Sequence, residues 1–180
     1  MKQELKEKLI PLWMTALVVF LDQASKIIIT LTIKPNQIVE VLGDFFRLVY
    51  RQNPYIIFSL GRDFHPLFQT IGFLVLPILI LSLFVFFYFR DKDIRPVYRL
   101  PLAAILGGGL GNLLDRILRP GGVVDFLDFK FFGILGLERW PTFNLADTAV
   151  VCGVITVAIL ALINLFKKKR PQASAPEASS

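Results

Sequence analysis

Residues 67–89 read LFQTIGFLVLPILILSLFVFFYF, a run without one charged side chain. About 20 apolar residues in a helix cross a hydrocarbon core of about 30 Å. This run is too long for a soluble core and too continuous for an amphipathic surface helix. Three further stretches qualify around it. Residues 9–29 (LIPLWMTALVVFLDQASKIII) precede it, residues 100–118 carry Gly107, Gly108, Gly109 and Gly111, and residues 143–166 follow. Composition agrees: 54% of the 180 residues are hydrophobic and 19% are charged, whereas soluble domains carry about 25% charge. A water-soluble globule and a disordered chain are both excluded. The reading is an all-α membrane protein with four transmembrane helices in a single domain over residues 1–170. The first span is not read as a cleavable signal peptide, because no small-residue cleavage site follows it and polar residues interrupt it.

Charge placement orients the spans. Eleven basic residues flank one side: Lys2, Lys6 and Lys8, then Arg90, Lys92, Arg95 and Arg99, then Lys167, Lys168, Lys169 and Arg170. Seven occupy the longer connections on the other side. The positive-inside rule therefore predicts both termini in the cytoplasm. The net charge of +6 flanks spans and suits anionic headgroups, so nucleic acid is not an expected partner and membrane lipid is.

The two outer connections carry structure of their own. Within residues 36–60, QIVEVL and FFRLVYR alternate apolar and polar around Gly43-Asp44, which predicts a small extracytoplasmic β-sheet between helices 1 and 2. Residues 119–142 break at Pro120-Gly121-Gly122 and continue as VVDFLDFKFFGILGL, too apolar for a free linker and expected at the membrane surface. The last ten residues, PQASAPEASS, read as a disordered tail.

The available chemistry is narrow. A single cysteine, Cys152, excludes an internal disulfide, a thiolate zinc cluster and a CxxC pair. A single histidine, His65, excludes His-cluster metal sites. No metal or cofactor is expected. His65, before Pro66, reads as a cap or interface residue, and Cys152 as core packing. Ser25 beside Lys26 is not a catalytic pair, since adjacent helical side chains point about 100° apart.

A charge at the bilayer centre costs at least about 2.5–3.5 kcal/mol, so each one needs a reason. Asp22 and Lys26 lie in the outer half of the first span, and Asn112, Asp115 and Arg116 in the last turns of the third. Asn144 and Asp147 open the fourth, and Asp125 can reach the same layer. Spacings of three and four place each set on one helical face, as convergence requires. Bland readings stand beside this one. Asp22–Lys26 can be an intrahelical pair, Asp115 and Arg116 an interfacial pair, Asn144 an N-cap, and Asp125 or Asp128 a carboxylate facing water. Asp147 has no basic neighbour in sequence. Two carboxylates sharing a proton are the best catalyst this inventory offers, because in a dry pocket both cannot ionise.

The motifs DQASK at 22–26, GGGLGNLLDR at 107–116, VVDF at 123–126 and FNLADT at 143–148 resemble, in order and over the whole length, those of lipoprotein signal peptidase (signal peptidase II, the A8 aspartyl peptidases). The resemblance implies a bacterial inner-membrane aspartyl endopeptidase acting near the periplasmic face. Its substrates would be diacylglyceryl-modified prolipoproteins, cut before the lipidated cysteine. It also implies a catalytic pair of Asp125 and Asp147. Asp22, Lys26, Asn53, Asn112, Arg116 and Asn144 would line or support the pocket, with Asp115 bracing Arg116. A monomer is expected. The family usually has Asn-x-Gly-Ala where this chain has Asn53-Pro54-Tyr55-Ile56, which implies a bulkier pocket wall. A proton or cation path and an inert scaffold are the competing readings; the bare second span and the apolar inner halves of the third and fourth count against a path.

Overall fold

The structure, a computed structural model, describes residues 2–35, 37–54 and 71–168. The start of the second span, the end of the outer β region with Tyr55 and Ile56, His65 and the 171–180 tail lie outside the described residues.

A polar helix α1 (Lys2–Leu9) passes through a 3-10 turn at Ile10–Leu12, where Pro11 removes a backbone donor, into α2 (Trp13–Thr32). The hairpin β1 (Ile38–Leu42) and β2 (Phe46–Asn53) follows. A π turn at Ile71–Val75 leads into α3 (Leu76–Arg90), and α4 (Pro96–Leu118) begins on Pro96, a residue suited to a helix start. The chain then forms β3 (Val123–Phe129) and α5 (Leu145–Lys168). Four helical stretches are long and apolar enough to cross a bilayer: 3–32, 71–90, 96–118 and 145–167.

Helix α4 is central, packing most extensively on α5 and α2. Its glycines permit this. A Cβ on Gly108 would collide with the Ala146 carbonyl, and one on Gly111 would sit 2.6 Å from the Asp22 carboxylate. Close helix approach at small residues is how membrane helices gain packing contacts without a hydrophobic driving force.

The sheet has order β1-β2-β3, antiparallel throughout. The expected hairpin is present, but the sheet has a third strand, β3, contributed by the connection between α4 and α5. Its burial explains the difference. Val123, Val124, Asp125, Phe126 and Asp128 are all buried, so the strand shows no apolar–polar alternation. Val124 and Phe126 pack with Ile29 and Ile33 from the end of α2, which seats the sheet on the helix ends. Strand β2 carries one extra residue between Leu48, opposite Leu127, and Arg51, opposite Asp125. Such bulges re-aim a strand beside a site.

Candidate active site

Two backbone devices bring β3 to the first turn of α5. The Phe126 and Leu127 N–H groups donate to the Phe143 carbonyl at 3.0 and 2.8 Å, and the Phe143 N–H donates back to Leu127 at 3.2 Å. At the other end, Gly122 adopts φ +82°, and a Cβ there would strike the Asn53 backbone, so β3 begins hard against the end of β2.

Asn144 then does two jobs. Its side-chain oxygen accepts from the Asp147 N–H at 2.9 Å while its own N–H donates to Asp147 Oδ2 at 3.2 Å. This reciprocal pair is a capping box, with the aspartate at the third helical position. The Asn144 amide also donates to Asp125 Oδ1 at 2.8 Å. One buried residue thus contacts both candidate carboxylates, Asp125 through its side-chain amide and Asp147 through its backbone N–H. Asn112 Nδ2 donates to Asp147 Oδ1 at 2.7 Å, and Asn53 Nδ2 donates to Asp125 Oδ2 at 3.2 Å. Asp125, Asp147, Asn53, Asn112 and Arg116 all line one cavity of about 790 Å³, with Trp140 and Phe143 on its wall.

Asp125, on the strand, is pushed up to about 7 by burial first and by the charge of Asp147 second; the Asn53 and Asn144 amides oppose this only in part. Neither Asp125 nor Asp147 makes an ion pair among the described residues. Arg116 borders the cavity, holds the Asn112 carbonyl at 3.1 Å through Nη1, and keeps a buried Nε without a hydrogen-bond partner among the described residues.

Asp22, Lys26 and Asp115 form a separate, fully buried cluster. Lys26 Nζ lies 2.8 Å from each carboxylate and donates to Asn112 Oδ1 at 3.0 Å. Asp22 accepts from the Ala146 N–H at 3.0 Å, near the start of α5. Asp115 accepts from the Val124 N–H at 3.1 Å and pairs with Arg119 at 3.0 Å. The expectation that Asp115 braces Arg116 is therefore corrected. The two are adjacent on a helix and point apart, so the Asp115 carboxylate turns to Lys26, Arg119 and β3 instead.

Two further readings change. Asp128 is buried rather than water-facing and takes a two-pronged contact from Arg139 Nε at 2.8 and 2.9 Å. Cys152 is exposed at the cavity edge rather than packed in a core. Sequence reasoning missed Gln23, whose amide reaches Asp115 at 3.0 Å and the Gly111 carbonyl at 3.1 Å. Its place within the first span, beside Asp22, was the available signal.

Fold and site together define a multi-pass helical membrane protein with a carboxylate pair in a cavity at the sheet end of its bundle. The sequence model described as signal peptidase (SPase) II matches residues 14–163. Lipoprotein signal peptidase of Treponema pallidum (strain Nichols) is 44% identical over 172 residues, 95% of this chain and 90% of that protein. That of Treponema denticola is 39% identical over 165 residues, 92% and 95% of the two chains. A bacterial membrane enzyme solved by the in meso method at 2.3 Å superposes with a TM-score of 0.73 at 29% identity, covering 92% of this chain and 94% of that one. The chain belongs to the signal peptidase II family.

Proposed function

We infer that the protein is an intramembrane aspartyl endopeptidase. It removes the signal peptide from diacylglyceryl-modified prolipoproteins by cutting before the lipidated cysteine, with Asp125 and Asp147 as the catalytic pair. The observation that carries this reading is the shared cavity in which Asn144 contacts two carboxylates that lack an ion-pair partner among the described residues. Near neutral pH Asp125 is the natural holder of the proton. Asp147, accepting from the Asn112 amide and the Asn144 N–H, is the natural base.

In the reaction Asp147 takes a proton from a water as its oxygen attacks the scissile carbonyl, and protonated Asp125 donates a hydrogen bond to the developing oxyanion. Asp147 then passes the proton it took from water to the amide nitrogen as the oxyanion collapses and the C–N bond breaks. One water is consumed, and the pair ends as it began, with one proton on Asp125. Asn112, Asn53 and Asn144 fix the carboxylates, and Arg116 supplies positive charge at the cavity wall. Family membership and the basic-residue distribution support placing the enzyme in a bacterial inner membrane, with cytoplasmic termini and its site near the periplasmic face.

Purified protein in bilayers, given a diacylglyceryl-modified precursor and its unlipidated control, tests this. Cleavage of the lipidated precursor alone is expected. Equal cleavage of both would remove the lipid from the definition of the substrate, and cleavage of neither would remove the activity.

A further inference from the structure

The far end of the sheet, away from the cavity, carries an unusual surface. Two turns meet there, residues 43–45 between β1 and β2 and residues 131–137 after β3, joined by the Lys130 N–H donating to the Phe45 carbonyl at 2.9 Å. Five large apolar side chains stand out from them: Leu42 at 62% exposure, Phe45 at 46%, Phe132 at 64%, Ile134 at 55% and Leu135 at 84%. Phe45 stacks with Phe132 at 6.2 Å and meets Phe129 edge-on at 5.8 Å, so the patch is continuous across the two turns.

The backbone is bent to produce this display. Phe132 and Leu135 adopt φ +55° and +53°, a left-handed conformation that costs a bulky residue energy and that glycine or asparagine would adopt at less cost. Gly133 and Gly136 share the sign, at +77° and +75°. The turn is closed by backbone bonds from the Phe131 N–H to Glu138 at 2.8 Å and from the Gly133 N–H to Leu137 at 3.0 Å. It is therefore a built structure, not a loose loop.

Behind the apolar tip lies a neutralised frame. Asp44 contacts Lys130 at 2.6 Å, Arg139 at 3.1 Å and also Arg47; Arg139 holds Asp128, and Arg47 holds Glu40 at 3.0 Å. Three acids and three bases thus cancel, and the Lys130 hydrogen bond keeps Asp44 below the usual carboxylate range. Apolar side chains are also exposed at Ile28 and Leu31 in the last turns of α2 and at Ile38 at the start of β1. Trp140, a residue enriched at bilayer interfaces, follows the turn.

We propose that this double-turn tip is a membrane-interface anchor, inserting Phe132, Ile134 and Leu135 among the lipids beside the helix bundle and so holding the sheet at a fixed tilt over the cavity. The occupant is lipid, not a protein, because apolar side chains are also exposed on the span that leads to the sheet, at Ile28 and Leu31, and the charges behind the patch pair with one another. The anchor stands independently of the proposed proteolysis.

Site-directed spin labelling tests it. Cys152→Ser protein carrying a nitroxide at Leu135→Cys, and separately at Ile134→Cys, is placed in nanodiscs of phosphatidylethanolamine and phosphatidylglycerol. Collision with oxygen is expected to exceed collision with a water-soluble nickel chelate, as for a control label at Leu83 on α3, and opposite to one at Lys92 between α3 and α4. Labels at both positions behaving like Lys92 would overturn the anchor. Labels shielded from both reagents would also overturn it, in favour of a protein contact such as a second copy.

Discussion

Two pairs of aspartates sit in neighbouring layers of this molecule and have opposite surroundings. Asp22 and Asp115 are fully buried and share Lys26, with Arg119 adding a second cation. Asp125 and Asp147 open onto a cavity and, among the described residues, are held by amides and a backbone N–H. The first arrangement sets each carboxylate directly against a cation. The second sets two carboxylates on one cavity, where burial and the charge of Asp147 keep a proton on Asp125 to about pH 7. The difference teaches where chemistry can occur: a buried charge that is neutralised is architecture, and one that is merely hydrogen-bonded is reactive. The two clusters are coupled, because Asn112 accepts from Lys26 and donates to Asp147, so the inert cluster aims the reactive one.

Substitution should separate the pairs sharply. Asp125→Asn and Asp147→Asn are each expected to reduce cleavage of a lipidated precursor by at least about 10³-fold while leaving the thermal midpoint in detergent nearly unchanged. A variant of either retaining most of its turnover would make the two pairs equivalent and end the assignment. Lys26→Met should show the reverse emphasis. Leaving buried Asp22 without its cation and Asp115 with Arg119 alone costs about 3–5 kcal/mol, read as a large fall in unfolding midpoint. Asp22→Asn should likewise lower stability more than it slows the chemical step of the folded fraction.

Asn144→Ser sharpens the contrast at lower amplitude. Serine also caps a helix, so the cost to α5 should stay well below the roughly 1 kcal/mol of a lost cap. The amide on Asp125 disappears, however, and kcat should fall without a matching fall in stability. A smaller effect still is expected in the pH profile. If protonated Asp125 is required, kcat falls as pH rises through about 7. Asn53→Ala removes a donor that favours the ionised form, so Asp125 holds its proton to higher pH. The basic limb should then move upward, by less than about one unit; a downward move would contradict the role given to that hydrogen bond.

Much of this was legible in the sequence because the bilayer imposes simple rules. Four long apolar runs could only be spans, and Asp22, Asn112, Asp115 and Asp147 stood out because charge and amide groups are costly there. Gly43-Asp44 between alternating segments announced the hairpin. The third strand was not legible, since VVDFLDF is covered on both faces and loses the period-two pattern by which strands are recognised. The partner of Asp115 was equally hidden. Arg116 is its neighbour in sequence, but Lys26 comes from a helix almost ninety positions away, and only the close approach at Gly111 decides that contact. The one-residue bulge in β2, which sets Arg51 opposite Asp125, has no local signature at all.

The central claim is that Asp125, in the shared cavity, keeps a proton up to about neutrality. Infrared titration of the protein in bilayers reads this directly, through the carbonyl stretch of protonated carboxyl groups. The expected result is a band that persists to about pH 7 and is absent from the Asp125→Asn variant. A band already gone by pH 5, or one that survives in Asp125→Asn, would contradict it.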